Sequence, residues 1–408
     1  MKQNTTYKQT ELGLIPDDWE VKKLGEIGNI ITGSTPSTTN LEYYKNGTFD
    51  FIGPADLNSN KYIDNAEKKV TEKGLNVGRI LKQKSVLVTC IGSTIGKIGI
   101  NKNICITNQQ INAIETDKNN SDFIYYSILE RKGRLKLIAG EQAVPVLNKT
   151  EFSKFKIPLP PLPEQKKIAD CLSTWDVAIE KQNALINVLT DRKKALMQQL
   201  LTGKKRLPGF SGEWKEVSLI ELADFRRGSF PQPYGLPEWY DNENGEPFIQ
   251  VYDVGDNFNL KPTTKSKISE LAQVQSVFIK KGTLIVTLQG SIGKVAITNY
   301  DAYIDRTLLL FSSFKMKVDI YFIMYQIHNL FNIEKEKAPG GIIKTITKEV
   351  LSNFKIKLPS FEEQTAIAEI LATADRELQL QKEKLAQLQT QKKGLMQVLL
   401  TGKKRLIN

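Results

Sequence analysis

One segment of this chain is written twice. Lys193 to Leu207 reads KKALMQQLLTGKKRL, and Lys392 to Leu406 reads KKGLMQVLLTGKKRL. Lys204 and Lys403 stand 199 residues apart. The same spacing carries Ile157, Leu159, Pro160, Glu164, Gln165, Ile168, Leu172 and Asp176 onto Ile356, Leu358, Pro359, Glu363, Gln364, Ile367, Leu371 and Asp375 without a gap. An internal repeat of this length constrains a fold more than composition does, because it sets the number of equivalent modules before any element is assigned. Here it requires two similar modules, each ending in a similar helix.

The helical part of each copy carries a seam. From Glu164 the spacing runs Ile168, Leu172, Trp175, Ile179, Gln182, Ile186, Leu189, Lys193, Leu196, Leu200. In the second copy it runs Ile367, Leu371, Ala374, Leu378, Gln381, Leu385, Leu388, Lys392, Leu395, Leu399. Steps of four and three alternate, which is a heptad pattern, and the polar interruptions fall at the same places in both copies. Pro163 suits a first helical turn. Ser360-Phe-Glu-Glu363 reads as a capping box. Gly203 and Gly402 read as C-terminal stops, with the following Lys-Lys-Arg placed near the negative helix end. Each helix is expected to be roughly 55–60 Å long. Two seams in the same register favour mutual packing, and antiparallel packing relates the modules by a pseudo-two-fold axis. Trp175 against a small residue such as Ala374 is the size match expected between them.

The repeat extends, more weakly, into the globular parts. Trp19 pairs with Trp214, Phe51-Ile52 and Asp56 with Phe248-Ile249 and Asp253, and SVLVTCIGSTIGKIGI (85–100) with GTLIVTLQGSIGKVAI (282–297). Asp122 pairs with Asp319, and each is an expected helix cap. Short strands, turns and a few helices give an α+β reading for both modules. Between these anchors the two copies diverge, as TGSTPSTTNLEYYKNG against RRGSFPQPYGLPEWYDNENG. A shared frame with different loops is how one scaffold presents two recognition surfaces.

Composition then narrows the function. A net charge of +12, with 40% hydrophobic and 25% charged residues, describes a globular chain suited to a polyanionic partner. No apolar run approaches the roughly 18–20 residues of a membrane span, and the first residues lack a signal-peptide stretch, so a cytoplasmic location is expected. Cys90, Cys105 and Cys171 lack zinc-ligand spacing and read as reduced thiols. The single histidine, His328, lies in an apolar helical stretch, which leaves little room for chemistry built on histidine. GSTIGK (92–97) and GSIGK (290–294) fail the phosphate-loop spacing and precede strand-like runs, so each reads as a strand–turn–strand. No dinucleotide fingerprint, flipped-adenine motif or nuclease metal centre is present, and no cofactor is expected in this chain.

With these residues in hand, the chain resembles the specificity (S) subunit of type I restriction–modification systems over essentially its whole length. The resemblance rests on PLPPLPEQKKIADCL…KKALMQQLLTGKKRL, on LPSFEEQTAIAEIL…KKGLMQVLLTGKKRL, and on the opening GLIPDDWEVKKLGEI. It implies an α+β chain with two similar target-recognition domains joined by two long helices forming an antiparallel coiled coil. The expected segments are 1–160, the first recognition domain; 161–203, the first long helix; 204–357, the second domain; and 358–408, the second helix and tail. It also implies that each domain reads half of a split, asymmetric site in double-stranded DNA. Two methyltransferase (M) subunits carrying S-adenosylmethionine would bind the helices and methylate adenine at N6. Restriction (R) subunits using ATP and Mg would join them. The chain itself would be non-catalytic and independent of any membrane. Two other readings are a recognition subunit of a related enzyme cutting both sides of its site, and a coiled-coil scaffold unrelated to DNA.

Within that reading, Lys97 and Lys294 are the expected phosphate contacts. Ser34, Thr35 and Gln109 in the first module, and Arg226, Arg227 and Gln289 in the second, are the expected readers of base edges.

Overall fold

The computed structural model describes residues 6–57, 60–337 and 351–406; the outer limits 1 and 408 of the expected first and last segments lie outside them. The chain forms two compact units, Met1–Gln182 with Lys384–Asn408, and Asn183–Glu383. Each therefore contains one globular domain and parts of both long helices, Leu162–Leu200 and Phe361–Leu399, which have 39 residues apiece.

In the first unit a five-stranded sheet runs in the order Asn29–Thr32, Ile111–Glu115, Val86–Thr89, Ile98–Asn101, Tyr62–Ile63. Successive side chains on a strand face opposite sides, and here both sides are buried. Val86 and Val88 enter one core with Ile98, Ile100 and Ile114, whereas Leu87 enters another with Ile111 and Ala113. The first core packs beneath the helix Ser121–Glu130. The second lies toward a three-stranded sheet, Cys105–Thr107, Phe49–Ile52, Lys68–Val70, whose first pair is parallel. A further antiparallel pair, Glu20–Lys23 with Lys156–Leu159, leads into the first long helix.

The second unit repeats this plan. Its sheet order is Ala223–Arg227, Leu308–Phe314, Leu284–Thr287, Val295–Ile297. Leu284, Val286, Leu309 and Phe311 face one core; Ile285, Leu308 and Leu310 face the other. The second sheet again holds a parallel pair, Glu246–Ile249 with Ala302–Ile304. GSTIGK and GSIGK each connect two antiparallel strands, as their sequence suggested.

The helix ends close each unit in the same way. In the first, Ile168 and Leu172 share the domain core with Met396, Leu399 and Leu400. In the second, Ile367 and Leu371 share it with Met197, Leu200 and Leu201. Lys392, a polar interruption of the seam, pairs with Asp176, which accepts from Tyr126. Lys193 pairs with Asp375, which accepts from Tyr325 at 2.6 Å. Beyond each helix, Arg405 binds Glu164 through Nε and Nη2 at 2.7 Å, and Arg206 binds Glu363 likewise at 2.7 Å. Trp19 and Trp214 donate their indole N–H to the same two carboxylates, at 3.0 and 3.2 Å. In each unit the partner numbers rise along one helix and fall along the other, so the two segments run in opposite directions. All the expected seam residues are buried or half-buried, including Trp175, Ile179, Ile186, Leu189, Leu196, Leu378, Leu385, Leu388 and Leu395.

Three local expectations are corrected and one is extended. Ser360 Oγ does accept from the Glu363 N–H at 3.3 Å, but the Glu363 carboxylate serves Arg206 and Trp214, so the capping box is half-built. The arginines after Gly203 and Gly402, both at φ +72, reach the start of the opposite helix as well as sitting beyond their own. The cap of Ser121–Glu130 is Asn120, which accepts from the Phe123 N–H. Asp122 instead pairs with Lys61 at 3.0 Å and accepts from Tyr62. Asn120 also stands 199 residues before Asp319, the cap of Ile320–Lys337. Ala374 lies with Leu189, Lys193, Leu196 and Ile370 around an open groove of about 460 Å³ instead of meeting a tryptophan.

Candidate nucleic-acid interface

At one end of each unit's sheets, equivalent strands stop together and their connecting turns form a rim. In the first unit the rim comprises the segment after Thr32, the turn Gly53–Asp56, the loop Cys90–Lys97 and the turn Asn108–Ile111. Its backbone is closely tied. The Asn108 N–H donates to Ile52 O, Ile111 N–H to Asn108 O, Ser34 N–H to Thr107 O, and Cys90 N–H to Gln110 O. Gly33 is required at the crossing, since a Cβ there would lie 2.2 Å from Asn108 O.

The second rim reuses this wiring. Asp305 N–H donates to Ile249 O, Leu308 N–H to Asp305 O, Gly228 N–H to Leu308 O, and Leu288 N–H to Thr307 O. A Cβ on Gly228 would lie 2.3 Å from Ile304 O. Asp56 and Asp253 hold equivalent turns. One oxygen accepts from the N–H of Gly53 or Gln250, and the other from Glu67 or Lys265, all at 2.8–3.0 Å. Burial raises the Asp253 carboxyl above its ordinary range, although these backbone donors and nearby Lys261 and Lys265 oppose the shift. The hairpin loops differ by one residue. Thr89 N–H meets Lys97 O, whereas Thr287 N–H meets Lys294 O.

The candidate residues fall on these rims in different ways. Thr35 and Gln109 are exposed and joined, Thr35 Oγ1 donating to Gln109 Oε1 at 2.7 Å. The Ser34 hydroxyl is buried and has no hydrogen-bond partner among the described residues, so its backbone, not its side chain, serves the rim. Lys97 is half-buried, and its Nζ donates to Pro54 O at 3.2 Å, inside the rim. Lys294 pairs with Asp256 at 2.6 Å, and this hydrogen bond holds the Asp256 carboxyl below its ordinary range. Gln289 is exposed on the hairpin loop, next to Gly290, which approaches Val251. Arg226 and Arg227 are both exposed at the end of a border strand, with Arg227 adjoining the Gly228 crossing and Arg226 one residue back.

Sequence reasoning missed the centre of the second rim. Arg306 occupies the place of Gln109, each being the second residue of its turn, with its guanidinium 5.5 Å from the centre of the Tyr234 ring. Tyr234 donates to Asp305 Oδ1 at 3.1 Å and accepts from Gln250 Nε2 at 2.6 Å; Tyr252 donates to Gln250 Oε1. Burial and the neighbouring Asp305 raise the Tyr234 hydroxyl above its usual range. The signal was present in the sequence: the spacing that carries Lys97 to Lys294 also carries Gln109 to Arg306.

Two rims with one backbone plan and different exposed polar groups define a duplicated recognition protein. Residues 16–191 and 211–390 match the type I restriction modification DNA specificity domain, so the chain belongs to that family. It is 29% identical to the type I restriction enzyme MjaVIII specificity subunit of Methanocaldococcus jannaschii, over 97% of this chain and 95% of that one. It is 28% identical to the putative MjaX specificity subunit of the same organism, over 98% and 97%. Among solved structures, an S subunit from M. genitalium aligns with a TM-score of 0.57 at 14% identity, over 98% and 97% of the two chains. A chain of a type I R-M system aligns with 0.61 at 19%, over 96% and 99%. No helix among the described residues is long and apolar enough to cross a membrane.

Proposed function

We propose that this chain is the non-catalytic, sequence-reading subunit of a cytoplasmic type I restriction–modification complex. Each rim addresses one half of a split, asymmetric target in double-stranded DNA. The long helices pack along their seams as an antiparallel coiled coil that sets the gap between half-sites. Two M subunits dock on the helices, bring S-adenosylmethionine and methylate adenine at N6; R subunits bring ATP and Mg for cleavage. The observation that carries this reading is the rim built twice on one backbone plan, with Gln109 and Thr35 presented in one copy and Arg306, Arg227 and Gln289 in the other. Amides and guanidinium groups are the side chains that distinguish base edges in the major groove.

The test is co-expression with the cognate M subunit in a host free of adenine methylation, followed by genome-wide mapping of N6-methyladenine. Methylation at one split motif with a fixed gap is the expected result. A well-formed complex that leaves the genome unmethylated, with S-adenosylmethionine available, overturns the proposal.

A further inference from the structure

We propose that Arg306 selects a guanine in the half-site read by the second unit, as the counterpart of Gln109 in the first. The inference rests on the specificity role proposed above and names the residue that exercises it. Three observations support Arg306 in that role.

The first is equivalence. Asn108 and Asp305 donate to Ile52 O and Ile249 O, and accept from Ile111 and Leu308. The residue after each, Gln109 or Arg306, is therefore delivered to the same place by a turn held through backbone bonds and through the Asn108 or Asp305 side chain, which accepts from the N–H of Gln110 or Thr307. Both side chains are exposed.

The second is availability. Lys294 is tied to Asp256, and Arg226 Nε approaches Arg227 O. Arg306 forms no ion pair among the described residues. The neighbouring Asp305 is occupied by the hydroxyls of Tyr234 and Thr307. The guanidinium fork thus keeps its donors for a ligand presenting two acceptors side by side, which is what guanine O6 and N7 offer in the major groove.

The third is preorganisation. The Tyr234 ring beneath the guanidinium is held by hydrogen bonds with Asp305 and Gln250, and packs 4.9 Å from the Phe230 ring. A reader on a rigid turn, backed by a fixed aromatic face, loses little freedom when it binds. In the first rim Thr35 steadies Gln109 by a direct hydrogen bond, and an amide at that position suits adenine N6 and N7. One structural position would then read different bases in the two half-sites.

The test uses the full chain co-expressed with its M subunit, and compares methylation motifs of the wild type, Arg306→Ala, Arg306→Lys and Gln109→Ala. Expected for both Arg306 variants is relaxed selection at one base pair of one half-site, by roughly 5- to 150-fold, with the other half-site unchanged. Gln109→Ala should relax the other half-site. Lysine keeps the charge and loses the fork. A uniform loss over all sequences in Arg306→Ala makes Arg306 a phosphate contact, and full selectivity in Arg306→Lys shows that the charge and not the fork selects the base; either overturns the inference. An unchanged motif in Arg306→Ala, or the same half-site relaxed by Arg306→Ala and Gln109→Ala, also overturns it. A wild-type complex without any split motif overturns the specificity role itself, and this inference with it.

Discussion

Arg405→Ala tests which segments build the first unit. Arg405 and Glu164 are 241 residues apart in sequence, yet their side chains are only 8% and 3% exposed. Removing the guanidinium strips two donors, each at 2.7 Å, from a buried carboxylate, while Trp19 Nε1 keeps its bond at 3.0 Å. Stripping one partner from a buried pair costs about 3–5 kcal/mol. The surviving indole donor places this case near the lower end, at about 3 kcal/mol. Each 1.4 kcal/mol is tenfold, so the opening equilibrium of the first unit should rise by about 150-fold. Peptide-resolved hydrogen exchange reads the two units separately. Protection should fall in Lys156–Leu159 and around Leu172, and hold around Phe322 and Leu371. Arg206→Ala should do the reverse, more mildly, because Arg206 is 29% exposed. Combining Glu164→Gln with Arg405→Met should recover much of the loss, since no charge is then stranded. A change in Arg405→Ala below about threefold, or one seen in the second unit, would refute closure of the first unit by the chain's tail.

Burial pushes the thiols of Cys90 and Cys105 up to about 12, so both should stay protonated and unalkylated by iodoacetamide at pH 8.5 while half-buried Cys171 reacts; mass spectrometry showing either of the first two modified in the native protein contradicts this. Leu189→Asp places a carboxylate at a site 8% exposed and should cost about 3 kcal/mol; an unchanged melting curve and an intact complex with the M subunit would end the seam assignment. Asp256→Ala should leave stability within about 0.5 kcal/mol, the Asp256 side chain being 89% exposed, but steepen the salt dependence of DNA binding by about one released counterion. The Asp256 carboxyl is lowered, so the pair is intact above the ordinary carboxylate range and is lost as pH falls through the lowered value; wild type should approach the variant's DNA affinity there, and a wider difference at low pH would count against the pair. Lys97→Ala should weaken all sequences alike and lower the salt slope by about one, and motif-dependent loss in binding titrations would make Lys97 a base reader instead.

What was legible in the sequence was whatever repeats at short range. The seam, the left-handed Gly203 and Gly402, and the strand–turn–strand nature of GSTIGK follow from local periodicity and turn chemistry, and the structure has them. Illegible were partners chosen over hundreds of residues. The Lys-Lys-Arg after each helix carries a local meaning beside the helix dipole, and nothing nearby announces Glu164 or Glu363 as the group that binds the arginine. An ungapped comparison sets Asp122 against Asp319, although Asn120 is the cap, because the spacing between copies is not constant. Ile111 answers to Leu308, whereas Asn120 answers to Asp319, because the strand Leu308–Phe314 is longer than Ile111–Glu115 by two residues. An ungapped comparison cannot see such a step.

The same physics explains why the rims were the least readable part. Their backbone is held by main-chain bonds and by Asp56 or Asp253, none of which involves the exposed side chains at the tips. Gly53 and Gln109 are therefore free to become Gln250 and Arg306 without disturbing the frame, whereas Thr35 gives way to Phe230, which is buried in a core with Trp239 and Phe248. Yet the exchanges are coupled. In the first rim a hydroxyl steadies an amide. In the second, Phe230 supports Tyr234, Gln250 accepts the Tyr252 proton while donating to Tyr234, and Tyr234 backs the guanidinium. Exchanging Arg306 alone for glutamine would leave an amide above an aromatic face, without the hydroxyl that orients Gln109. Transfer of the first unit's base preference to the second should therefore require Phe230→Thr together with Arg306→Gln. A single Arg306→Gln change that moved the full preference, read from the methylation motif, would show that the surrounding side chains do not orient the reader.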